Sequence, residues 1–192
     1  MELSSSIRER LGFAKMENKP KKIREMALVG IFVAMICVVS QIVIPMPSGV
    51  PITLQILMIA FLGYFFNFKK AIISILLYIL IGFVGLPVFS GFQGGFGVLF
   101  GPTGGFIWGF VAVAVLCALS PLKKGIAIPI GILSVVICHI LGIAQYSVVT
   151  RTDFTVAFIA VSLPYILKDI AFVPIAYALS LKIKKLLRAK EI

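Results

Sequence analysis

Apolar residues in this chain come in long unbroken runs, without the spacing of 3.6 or 2 that marks a half-buried helix or strand. No Lys, Arg, Asp or Glu occurs over residues 26–68, 71–122 or 125–150. Runs of eighteen or more apolar residues read as bilayer spans. Hydrocarbon offers backbone N–H and C=O groups no partner but one another, so each run is expected to be helical. Proline, glycine and lysine clusters divide the runs into six spans, 26–44, 52–66, 71–84, 104–120, 125–148 and 154–181. The second reaches only about 22 Å at about 1.5 Å per residue, so it is expected to be short or to meet non-helical backbone. The fold class is all-α, a polytopic membrane protein of six transmembrane helices. Residues 1–25 form a cytoplasmic N-terminal segment, 26–181 the membrane domain and 182–192 a basic cytoplasmic tail.

Composition agrees: 60% of the 192 residues are hydrophobic and 13% charged, against about a quarter charged in a soluble domain. The net charge of +11 does not point to nucleic acid, because the basic residues flank apolar runs and form no charged surface. With six spans, sixteen of the eighteen Lys and Arg residues fall on the face shared by the termini. Arg151 lies on the other face, and Lys168 lies inside the last span. The positive-inside rule makes the termini cytoplasmic, in the cell membrane. No cleavable signal precedes the first span, and Ile7, Leu11 and Phe13 suit either a weak interfacial helix or a solvent-facing segment. Cys37, Cys117 and Cys138 read as small buried thiols. With a single histidine, no metal site is expected.

The connection between the third and fourth spans, residues 82–105, holds nine glycines in 24 residues and no charge. Its many phenylalanines suit a segment that dips back among the helices as a re-entrant or capping loop, where glycine allows tight turns. Phe89, Phe92, Gln93, Gly94 and Gly95 would then meet a ligand; the alternative is a loop that merely packs the end of the bundle. The glycines match neither a dinucleotide fingerprint nor an ATP loop. Lys168 and Asp169 lie in the last span, where charge costs about 2.5–3.5 kcal/mol, so each must face a polar interior. About 100° apart on a helix, they need not pair with one another. Tyr165, Asp169 and Phe172 share a face and offer an acceptor beside aromatic surface, with a kink possible at Pro164. Gln55 is placed to reach the same pocket, and His139 is expected to hydrogen-bond between helices. Ala27, Gly30 and Ala34 put small residues on one face of the first helix, for packing within the bundle or for docking a separate subunit. No nucleophile–base arrangement is visible, and no enzyme activity is expected.

The segments Pro51-Ile52-Thr53-Leu54-Gln55, Gly85-Leu86-Pro87-Val88-Phe89 and Gly94 through Gly105 resemble BioY, the biotin-binding S component of energy-coupling factor (ECF) transporters. The resemblance covers about residues 27–178. It implies an S-component fold that captures biotin from outside and works with a transmembrane coupling subunit and two cytoplasmic ATPases, with no cofactor of its own. Gly30-x-x-x-Ala34 looks like the family's docking motif, and the glycine segment like its cap. The family's Pro-Phe-x-x-Gly-Asp-x-x-Lys is matched by Pro164, Tyr165 and Asp169, whereas Lys168 takes the glycine position and Phe172 the lysine position. The resemblance implies Asp169 and Gln93 at the polar ring and Lys168 at the carboxylate. That displaced lysine keeps another carboxylate-bearing cofactor, such as lipoate, as the alternative ligand. From other classes, an autonomous carrier or an intramembrane enzyme remains open.

Overall fold

The computed structural model describes residues 22–120 and 125–189. The expectations for residues 1–21, and for Lys123, Lys124 and Lys190 in the charge pattern, lie outside them. Each of the six apolar runs is helical, with three departures at the ends and breaks. Helix α1 covers 22–39 of the described residues and ends five residues before the expected span does. Beyond it, β1 (Val43–Ile44) pairs antiparallel with β2 (Ile52–Thr53), Val43 opposite Thr53 and Ile44 opposite Ile52. Ile44 and Val50 each precede a proline, which steers them to extended backbone. The two strands of this hairpin thus take residues that hydropathy alone assigns to helix.

Next come α2 (Gln55–Phe65) and α3 (Phe68–Phe83), joined by a turn in which the Asn67 side chain caps α3 by accepting from the Lys70 N–H at 3.1 Å. Then follow α4 (Phe96–Leu99), α5 (Gly104–Leu119) and α6 (Ala127–Thr150). The last apolar run is two helices, α7 (Phe154–Val161) and α8 (Leu163–Ala189), bent by 56° at Ser162. Pro164 has no N–H to continue the ladder of α7. The Ser162 N–H closes α7 on the Phe158 carbonyl, and the Ser162 carbonyl starts α8 by accepting from Tyr165 and Ile166. Helix α8 runs on beyond Leu181, so Lys182, Lys184 and Lys185 ride on it.

Helix α5 packs against α6, α2 and α3, and α8 lies against α2 and α6. The α5–α6 contact is close enough to require glycine: a Cβ on Gly109 would stand 2.6 Å from Cys138 Sγ and 2.7 Å from its Cα. Tyr64, Tyr78, Phe61, Phe89, Ile36 and Ile59 fill the core. The outward faces are also apolar, with Ile31, Met35, Leu76, Leu80, Leu133, Ile140, Leu167 and Ile175 all exposed. Soluble monomers rarely expose so much apolar surface. Among the described residues, α6 alone is long and apolar enough to cross a membrane by itself, and the bent pair α7–α8 qualifies when taken as one span.

Polar contacts mark the two ends of the bundle. At one, Lys70 meets Glu25 at 2.9 Å, Lys184 donates to the Tyr64 carbonyl at 2.9 Å, and the Tyr64 hydroxyl donates to the Ala127 carbonyl at 2.7 Å. The start of α1, the α2–α3 turn, the start of α6 and the end of α8 therefore share that end. The hairpin and the glycine-rich segment close the other.

Candidate binding pocket

The glycine-rich segment is folded and fastened. Phe89 pairs with Gln93 across a tight turn, its N–H donating to the Gln93 carbonyl at 2.9 Å. At Gly94 an added Cβ would fall 2.2 Å from the Leu86 carbonyl oxygen, so only glycine lets the strand-like arms close. Polar side chains from the helices hold the segment's carbonyls and N–H groups. Ser40 and Tyr78 donate to the Val88 carbonyl, Gln41 accepts from the Phe92 N–H at 2.7 Å, and Gln145 donates to the Leu99 and Gly101 carbonyls at 2.8 Å each. The hairpin is held from the other side. The Tyr165 hydroxyl donates to the Val50 carbonyl at 2.7 Å, and the Tyr146 hydroxyl to the Ser48 carbonyl at 3.3 Å.

Between these two covers and the helices lies a pocket that is partly open at its mouth. Phe89, Phe106, Phe110, Ile56, Ile107 and Val161 make its apolar walls. Polar groups stand at two places. Gln55, 4% exposed, donates to the Tyr78 hydroxyl at 2.9 Å and accepts from Thr53 at 3.1 Å and from Ser90 at 3.3 Å. Gln93 lines the pocket with them. The second group is a chain of charge and hydrogen bonds. Lys168 Nζ contacts Asp169 Oδ1 at 2.6 Å and donates to the Thr53 carbonyl at 2.8 Å. Asp169 Oδ2 lies 3.2 Å from His139 Nε2, and His139 Nδ1 lies 2.9 Å from the Ser162 hydroxyl. An ionised carboxylate only accepts, so Nε2 carries a hydrogen toward Asp169, while the Ser162 hydroxyl can either donate to Nδ1 or accept from it. Every described buried side-chain nitrogen and oxygen has a partner.

The pocket brings together six of the residues expected to bind a ligand: Gln55, Phe89, Gln93, Tyr165, Lys168 and Asp169. Four others stand apart. Phe92 is 71% exposed with φ at 59°, turned outward by the same tight turn that buries Phe89. Gly94 and Gly95 shape the segment without lining the pocket; Gly95 donates its N–H to the Gly82 carbonyl at 2.6 Å. Phe172 does not line it either, and Lys168 lies 5.0 Å above its ring. Lys168 and Asp169 do pair, although adjacent helix positions do not require it, because a lysine stem is long enough to fold back on its neighbour. His139 does bond between helices, and it also lines the pocket, which a lone histidine in an apolar run gave no reason to expect. Thr103, Ser90 and Phe106 went unnoticed in the same way. Ala27, Gly30 and Ala34 are exposed, and a Cβ on Gly30 would meet nothing within 4 Å. They are not used for packing within the described bundle.

The profile of the BioY family matches residues 14–189. The chain belongs to the BioY family. It is 33% identical to the biotin transporter BioY of Thermotoga maritima over 169 residues, covering 85% of this chain and 97% of that protein. It is 34% identical to the probable biotin transporter BioY of Pyrococcus horikoshii over 150 residues, covering 78% and 89%. A 2.1 Å crystal structure of the S-component for biotin from an ECF-type ABC transporter superposes with a TM-score of 0.78. It shares 21% identity with this BioY chain and covers 87% of it and 94% of the solved chain. The fold is that of an S component.

Proposed function

We propose that this chain is the substrate-binding S component of an ECF-type importer, which captures biotin or a close analogue from outside the cell. A transmembrane coupling subunit and two cytoplasmic ATPases then drive its uptake, and the ligand passes through unchanged. One observation carries the reading: an aromatic-walled pocket with two separate polar groups, flanked by the glycine-rich segment and the hairpin, at the end of the bundle opposite Lys70 and Lys184. Such a pocket suits a small molecule with an apolar body and polar ends. In this reading the six apolar runs cross the bilayer with the basic end and both termini in the cytoplasm, which their apolar outward faces support.

Because Lys168 and Asp169 touch, they serve one end of the ligand together, and Asp169 does not take the ring end expected for it. The carboxylate falls to that end, while Gln55, Ser90 and Gln93 are left for the ring N–H and C=O groups. Phe89, Phe106 and Tyr165 flank the body between. Equilibrium binding of labelled biotin and lipoate to the purified chain in detergent tests this. Biotin is expected to bind with micromolar affinity or better. Tight lipoate binding without biotin binding would make the biotin assignment wrong.

A further inference from the structure

The chain of groups from Thr53 to Ser162 has a consequence for how a carboxylate enters the pocket, given the capture reading above. Lys168 and Asp169 already neutralise one another at 2.6 Å, and His139 fits its two partners either neutral, accepting at Nδ1, or charged, donating there. A ligand carboxylate reaching Lys168 makes two negative groups around one ammonium, in a pocket where Asp169 is 5% and His139 2% exposed. An uncompensated charge in such a place is strongly unfavourable. The group able to supply the missing positive charge by taking a proton is the imidazole.

We propose that a carboxylate ligand binds together with one proton, taken up from solvent at His139 Nδ1. The ammonium of Lys168 then turns to the ligand, and Asp169 is held by the imidazolium through Nε2–H. The new Nδ1–H donates to the Ser162 oxygen, whose hydroxyl hydrogen rotates away.

The groups around His139 leave it alone in this role. From α8 it faces Asp169, with Lys168 and Tyr165 further along the wall. From α5 it meets the edge of the Phe106 ring at 5.6 Å, and α7 presents Val161. Its neighbour Cys138 points its thiol to the Phe106 carbonyl.

Calorimetric titration in buffers of different ionisation enthalpy counts the protons directly. For the full chain near neutral pH, biotin is expected to take up about one proton per ligand and uncharged biotin methyl ester none. His139→Gln can keep a donor to Asp169 and an acceptor for Ser162 but cannot be charged. It is expected to abolish the uptake and to weaken biotin about tenfold more than the ester. Asp169→Asn removes the second negative group and is likewise expected to abolish the uptake. A histidine with a merely structural role predicts no uptake in the unaltered chain and equal losses for both ligands in His139→Gln. Biotin binding with no proton uptake, or uptake that survives His139→Gln, overturns the proposal alone. Failure of both biotin and lipoate to bind overturns the capture reading, and this proposal with it.

Discussion

Gln55 shows how much one side chain can hold. It is buried at the start of α2 and bonds with Thr53, Tyr78 and Ser90, so it ties the hairpin, α3 and the glycine-rich segment at one point. Placed at the ring end of the pocket, it should matter to the ligand whatever the state of the carboxylate. Gln55→Leu is expected to lower affinity for biotin and biotin methyl ester alike by about tenfold, since one lost hydrogen bond of about 1.5 kcal/mol is about tenfold in binding. Side-by-side binding curves check this, and a loss confined to biotin would place Gln55 at the carboxylate. Gln55 was readable from the sequence because it stands one turn from a proline-bounded end. The place of His139 in the pocket was not, because its partners Ser162 and Asp169 are 23 and 30 residues away.

At the scale of elements, the helices follow from hydropathy because backbone groups in apolar surroundings must satisfy one another. Their orientation does not follow. Helices α2, α5 and α6 are apolar all round, so no stripe says which side turns to the pocket. Close approach decides it, and the α5–α6 contact at Gly109 is the clearest case. Gly109→Val is expected to cost about 1–3 kcal/mol or more by overpacking, because the nearest atoms include the Cys138 backbone. Thermal unfolding in detergent should show a lower Tm. Gly30→Val, with open space around its Cβ, should leave Tm close to that of the unaltered chain. The break at Ser162 belongs here too. Pro164 marks it, and on either side of the 56° bend both α7 and α8 pack on α6.

For the whole molecule, the separation of the two ends matters most. The pocket opens among loops at one end, and the exposed face of Ala27, Gly30 and Ala34 lies on α1, outside the bundle. If that face docks the coupling subunit, binding and transport separate. Gly30→Leu and Ala34→Leu are expected to abolish co-purification of the coupling subunit and ATP-driven uptake while leaving biotin affinity within about twofold. Loss of biotin binding in these variants, with the complex intact, would return the face to a role inside the bundle.

The sequence by itself determined the helical runs, the asymmetry of charge between the two ends, and which residue types were too costly to face hydrocarbon. These are properties of local composition in an apolar solvent, and they need no knowledge of neighbours. Tertiary structure decided that Lys168 folds onto Asp169, that Phe92 turns out where Phe89 turns in, that Phe172 stays off the pocket, and that His139 joins it. Those outcomes depend on helix rotation and on loop carbonyls brought in from distant segments, and hydrophobic pattern carries neither.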